Sequence, residues 1–134
     1  MVGRILYVYR ERGDYSGAVY VYRGFPQLSD EDWRAVRDVA RALGYFAREG
    51  MFNYIDRIGD AYSGEIAVAA LRDALRALQS ARNQGLPVYL PSPSSVEHVI
   101  KLLEENTRVG YIISALALAY GGVEVKKKVE GESQ

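Results

Sequence analysis

Met51-Phe52-Asn53-Tyr54-Ile55-Asp56-Arg57-Ile58 opens the stretch that decides the reading of this chain. It is a short amphipathic segment. A Gly-marked break at Ser63-Gly64 follows, and then an Ala/Leu-rich segment runs to Asn83 with Arg72, Arg76, Gln79 and Asn83 along one side. In that second segment Val68, Leu71, Leu75 and Leu78 recur at helical spacing with Ala67, Ala70, Ala74 and Ala81. This spacing predicts an apolar helix face, and the alanines allow close helix–helix approach. Two helices are therefore expected, one over 52–61 and one over 65–83, with Gly85 as the stop.

Working outward toward the N-terminus, Ser29 reads as an N-cap. Asp30, Glu31 and Asp32 suit the positive end of a helix dipole, and Leu28 can staple onto Trp33. The predicted helix presents Trp33, Val36, Ala40, Leu43 and Ala47 to a core and ends at Gly50. Earlier still, residues 4–12 and 17–23 alternate and are rich in Tyr and Val around Gly13-Asp14-Tyr15-Ser16-Gly17, a hairpin pattern. A two-stranded ribbon is marginal by itself. Val123 to Val129 supplies the natural third strand.

Toward the C-terminus, Val88-Tyr89-Leu90 lies between prolines and is compatible with an edge strand. Ser94 with Glu97 reads as a capping box for a helix to about Asn106. Thr107 opens or continues a helix through Tyr120. There Ile112, Ile113, Leu116, Leu118 and Ala119 cover most of the circumference, as in a buried central helix, and Gly121-Gly122 ends it. Leu71, Leu75, Leu78, Ile112, Leu116 and Trp33 are the expected core.

The expected fold is thus mainly α within an α+β class: a helical bundle with a small antiparallel β-ribbon formed by the N-terminal hairpin and the C-terminal strand. One domain over 1–134 is expected, with 1–24 and 123–130 as the β element and 29–121 as the helical part.

Composition bounds the function. Half the chain is hydrophobic and a quarter is charged, as in soluble globular proteins. The formal net charge is zero, which excludes a uniformly basic coat but leaves local basic faces. Thirteen Arg against four Lys suit a thermophile or a GC-rich genome, and also bidentate phosphate contact. There is no cysteine, hence no disulfide and no thiolate metal site. The N-terminus lacks the pattern of a signal peptide, and the apolar run Val109 to Val123 is too short to span a bilayer. A cytoplasmic protein without membrane contact is expected.

Equipment for catalysis is sparse. His98 is the single histidine and reads as an ordinary exposed side chain, so a zinc site would need carboxylates alone. No phosphate loop, dinucleotide fingerprint or nucleophile elbow is present. Asp56 and Asp60, at i and i+4, could share a metal or act as an acid/base pair. Pairing with Arg57 or helix capping is the plainer reading. No enzyme, no cofactor and no bound metal are expected.

The arginines carry more. Arg34, Arg37, Arg41 and Arg48 fall within roughly a 60° arc at 3.6 residues per turn. They are either a solvated face, paired to Asp30 or Asp38, or a row of phosphate contacts. Arg72 and Arg76 place like charges at i and i+4, which is mildly destabilising unless an anion or a partner's carboxylate lies opposite. Lys126-Lys127-Lys128 either protects an edge strand or extends a basic surface. Tyr7, Tyr9, Tyr20 and Tyr22 form either a cross-strand ladder packed on the helices or an exposed stacking platform for bases.

The segment Phe52-Asn53-Tyr54-Ile55-Asp56-Arg57-Ile58, followed by Ala70-Leu71-Arg72-Asp73-Ala74-Leu75-Arg76 and Gln79-Ser80, resembles the small subunit of archaeal type I-A CRISPR effector (Cascade) complexes. The later helices over Val96 to Tyr120 are similar to that family's helix pair. The resemblance covers residues 43–120. It implies a non-catalytic subunit lining an RNA-guided complex, in contact with other subunits and with crRNA or single-stranded DNA. Helical geometry in this sequence makes Arg34, Arg37, Arg41, Arg48, Arg72 and Arg76 the residues suited to that contact. Two rivals stay open: a free-standing single-strand-binding protein, and a small self-associating interaction or viral structural protein that touches no nucleic acid.

Overall fold

The computed structural model describes residues 28–122 and, for backbone alone, the strand residues 4–12, 15–21 and 125–129. The described chain is mainly helical. Its helices are α1 (Asp30–Arg48), α2 (Asn53–Gly59), α3 (Gly64–Asn83), α4 (Pro93–Glu105) and α5 (Val109–Tyr120). The strands β1 (Arg4–Arg12), β2 (Tyr15–Val21) and β3 (Val125–Val129) are antiparallel and lie in the order β2-β1-β3. Tyr7 stands opposite Tyr20 on one side and Lys126 on the other. The expectations that rest on strand side chains lie outside the described residues: the tyrosine ladder or platform at Tyr7, Tyr9, Tyr20 and Tyr22, and the edge lysines.

Helix α1 begins as its sequence dictates. The Ser29 hydroxyl accepts from the Asp32 amide at 3.0 Å, and the Asp32 carboxylate accepts from the Ser29 amide at 3.0 Å, so two orphan donors are satisfied reciprocally. At its other end Gly50 adopts φ 75°, and the Met51 amide reaches back to the Phe46 carbonyl at 2.7 Å. That is the six-to-one closure of a Schellman motif, and it turns the chain sharply into α2. Gly85, at φ 90°, closes α3 in the same way, with Leu86 N–H on the Ala81 carbonyl at 3.1 Å.

One hydrophobic core joins the five helices. Val36, Val39, Leu43 and Phe46 of α1, Ile55 and Ile58 of α2, Leu71 and Leu78 of α3, Val99 and Leu103 of α4, and Ile112, Ile113 and Leu118 of α5 are buried in it. The Phe46 and Tyr54 rings stack with centroids 4.4 Å apart, tying α1 to α2. Helix α5 packs against α1, α2 and α4, and β2 and β3 also approach it. It is the central helix that its all-round apolar sequence predicts.

Small residues set how closely α5 is approached. A Cβ on Gly110 would lie 2.5 Å from the Ile58 carbonyl oxygen, and one on Gly59 would lie 2.9 Å from Ser114 Oγ. At the other end of α5 a Cβ on Gly121 would meet the Ala47 methyl at 2.2 Å. At these points α2 and α1 approach α5 through backbone and small side chains.

Several expectations are corrected. Leu75, Leu116 and Trp33 are half-buried rather than core, and Ala119 is exposed. The cap of α4 is Ser92, whose hydroxyl accepts from the Ser95 amide at 3.2 Å, not Ser94. Pro93 explains the shift, since it occupies the first helical turn, where its missing N–H costs nothing. Val88-Tyr89-Leu90 forms no strand. Val88 is buried, and Tyr89 and Ser92 are instead bonded to α1. Among the described residues no helix is long and apolar enough to cross a membrane.

Candidate nucleic-acid interface

On α1 the buried residues Ala35, Val36, Val39, Leu43 and Phe46 point into the bundle, so the opposite side of the helix carries Arg34, Arg37, Arg41 and Arg48, all exposed. The four have different surroundings. Arg34 and Arg37 have no ion-pair partner among the described residues. The Arg41 guanidinium carbon lies 4.4 Å from the centroid of the Tyr89 ring, a cation–π contact. Arg48 Nη1 donates to the Tyr120 carbonyl at 3.3 Å and so satisfies a terminal carbonyl of α5. Arg48 is thereby engaged in joining α1 to α5.

The pair on α3 also divides. Arg76 Nη1 donates to Asp73 Oδ1 at 2.8 Å, an exposed i,i+3 ion pair. This pair offsets the like-charge repulsion that the Arg72/Arg76 spacing implies. Arg72 stands at the rim of a groove of about 400 Å³ between α3 and α4. Leu75, Leu90, Val96 and Ile100 supply its apolar lining, and Glu97 faces it from α4. Helix α4 packs against both α1 and α3. The two arginine sets thus stand on different helices, both of which pack against α4.

Two polar ties that join α4 and its leading segment to α1 have no counterpart in the sequence reading. In the first, Asp38 accepts from the Tyr89 hydroxyl and from the Ser92 amide, the latter at 3.1 Å. Partial burial pushes the Asp38 carboxyl up. The hydrogen bonds from Tyr89, Ser95 and Ser92 outweigh that, and it sits below the usual carboxylate range. The Tyr89 phenol is pushed up, first because its proton is held by Asp38 and then by desolvation and the carboxylate's charge, with Arg41 opposing. In the second tie, His98 Nε2 lies 2.6 Å from Asp32 Oδ1. His98 is half-buried and partnered, not the exposed histidine expected. The His98 bond, followed by the Ser29 backbone bond, holds Asp32 low. The signal that could have found the first tie is a tyrosine set in a Pro-flanked extended segment, because such a segment leaves its polar tip free to reach a neighbouring helix.

Asp56 is half-buried in α2, whereas Asp60 is the exposed C-cap of that helix. Arg57 and Asp60 border a shallow hollow with Tyr62, Ile66 and Asp73.

No curated relative and no solved structure matches the chain. Residues 42–114, from the last turns of α1 through α2, α3 and α4 into the middle of α5, match the profile of the CRISPR-associated protein family Cas_Csa5. The span is more than half of the chain and contains the Phe52–Ile58 segment and the Arg72/Arg76 helix that carry the resemblance; the chain belongs to the Csa5 family of CRISPR-associated proteins, the type I-A small subunits.

Proposed function

We propose that this chain is a non-catalytic subunit of an RNA-guided effector complex in the archaeal cytoplasm, and that it holds the backbone of crRNA or of an opened DNA strand while neighbouring subunits flank it. One observation carries the reading. Arg34 and Arg37 are exposed on the side of α1 that faces away from the core, without ion-pair partners among the described residues. A guanidinium left in water on a rigid helix suits a phosphate, which it can grip with two parallel hydrogen bonds. Family membership supports the setting. Arg41 and Arg72 add further exposed positive charge. Arg48 and Arg76 contribute less, because each already serves a protein acceptor.

The test is an anisotropy titration of labelled single-stranded DNA and RNA at several salt concentrations, comparing wild type with Arg34→Ala/Arg37→Ala. Loss of two phosphate contacts lowers the slope of log affinity against log salt by about 1.4 for a single strand. Sequence preference is slight in both proteins, since phosphate contacts position without specifying. Unchanged affinity and slope in the double variant would remove α1 from the interface.

A further inference from the structure

We propose that Tyr89, with Arg41 packed on its ring, is a stacking site for one nucleobase of the strand whose backbone Arg34 and Arg37 hold. The inference rests on the backbone-binding reading and deepens it. Three observations converge on this side chain. Tyr89 keeps 40% of its surface exposed, although the segment around it is pinned down and its neighbour Val88 is buried. Its orientation is fixed at both ends: the hydroxyl is bonded to Asp38, and the Arg41 guanidinium lies over the ring at 4.4 Å. Ser92 N–H on Asp38 anchors the same loop at the residue immediately before α4, so the ring is carried on a braced segment.

An exposed aromatic is usually free to rotate. This one is not, so a base that stacks on it meets no further ordering cost from the ring. The ring's π-surface accepts any base, and the adjoining guanidinium plane offers a second flat surface, this one cationic, for stacking. Arg41 belongs to the same exposed helix side as Arg34 and Arg37, one turn from Arg37. A strand held by those two arginines therefore runs past the Tyr89 ring. The chemistry recognised is a flat, unpaired nucleobase in a single strand. A duplex, whose bases are stacked on each other, has nothing to offer the site.

The experiment uses the full chain and a short oligothymidylate, beside a matched strand with abasic positions. Tyr89→Leu keeps the apolar bulk and removes the π-face. We expect it to weaken the base-bearing strand by roughly 5- to 150-fold, the range for one stacked base. The salt slope is unchanged, because no phosphate contact is lost, and the abasic strand is bound as by wild type. In parallel, wild type is titrated onto strands carrying 2-aminopurine at successive positions. Quenching at one position marks the stacked base and needs no variant to fold. Equal weakening on base-bearing and abasic strands overturns the inference, as does an absence of quenching. If Arg34→Ala/Arg37→Ala weakens binding but Tyr89→Leu does not, the stacking site fails and the backbone reading stands. If neither variant matters, both fall.

Discussion

Placing a methyl group on Gly110 tests the close approach of α2 to α5 on which the packing depends. Gly110 sits in the first turn of α5, and its added Cβ would lie 2.5 Å from the Ile58 carbonyl oxygen and 3.6 Å from Ile58 Cγ2. Real Cβ atoms essentially never come within 3.0 Å of such an atom, so α2 must retreat by about half an ångström or more. The obstacle is backbone, at a helix whose Ile55 and Ile58 are wholly buried, so no flexible side chain can swing aside. Overpacking of this kind costs ~1–3 kcal/mol. Against it stands the helix propensity that alanine gains over glycine, at most ~1 kcal/mol and less in a first turn. Gly110→Ala is therefore destabilising by ~1–2 kcal/mol, a fall in Tm of about 3–8 °C for a chain of this size. The assay is thermal and urea unfolding by far-UV circular dichroism. Ala69→Gly, at an exposed position of α3, calibrates the propensity term. A Gly110→Ala protein as stable as wild type or more so would show that α2 and α5 do not meet at this contact, and the argument about small residues would fail with it.

Ser114→Ala is expected to be neutral or to stabilise by up to ~1 kcal/mol, because Ser114 Oγ is buried without a hydrogen-bond partner among the described residues; urea unfolding checks it. Leu71→Ala, at a fully buried site, costs ~2–5 kcal/mol, and Leu75→Ala costs clearly less because half-buried Leu75 borders the open groove; equal losses would contradict that placement. Asp32 and Asp38 titrate lower in the fold than in the open chain, so their contribution is complete above the open-chain value near ~3.9 and drains away as pH falls through the folded values; Asp32→Asn/Asp38→Asn flattens the acid limb of the stability–pH curve. The Tyr89 phenol is raised, so its contribution is complete below ~10 and is lost as pH climbs toward its folded value; Tyr89→Phe abolishes that alkaline step.

The local signals that were legible share a property: they are decided within one turn of chain. Ser29 followed by acidic residues forms its cap, Gly50 and Gly85 take the left-handed conformation that ends a helix, and the all-round apolar α5 is central. Where three serines competed at the start of α4, the choice depended on Pro93, which fits the first helical turn and so makes Ser92 the cap. Periodicity placed Leu75, Leu116 and Trp33 on apolar faces correctly. It could not tell that each is only half-buried, because that depends on which neighbour covers it. The Asp38–Tyr89 and Asp32–His98 ties span 51 and 66 residues, and no pattern in a single sequence couples such pairs. The arginine arc was legible as an arc. Its division into open, stacked and bonded members was not, since Arg41 meets a loop residue and Arg48 the far end of α5.

Zero net charge and a phosphate-binding face are compatible because the charges are partitioned. Helix α4 exposes Glu97, Glu104 and Glu105 against a single Lys101, while the outer side of α1, beyond the acidic first turn that exposes Asp30 and Glu31, carries four exposed arginines. The N-cap and second turn of α4 meet α1 at Asp38 and Asp32, so the acidic helix lies along one flank of α1. At physiological salt, charges more than ~8 Å apart are largely screened. The arginines therefore act on a phosphate that is already close, and the carboxylates repel one that strays over α4. On the proposed reading this yields orientation more than affinity: a single chain holds a strand weakly and in one lane. Tight holding then comes from several such lanes fixed in one assembly, where each further contact is made at high effective concentration.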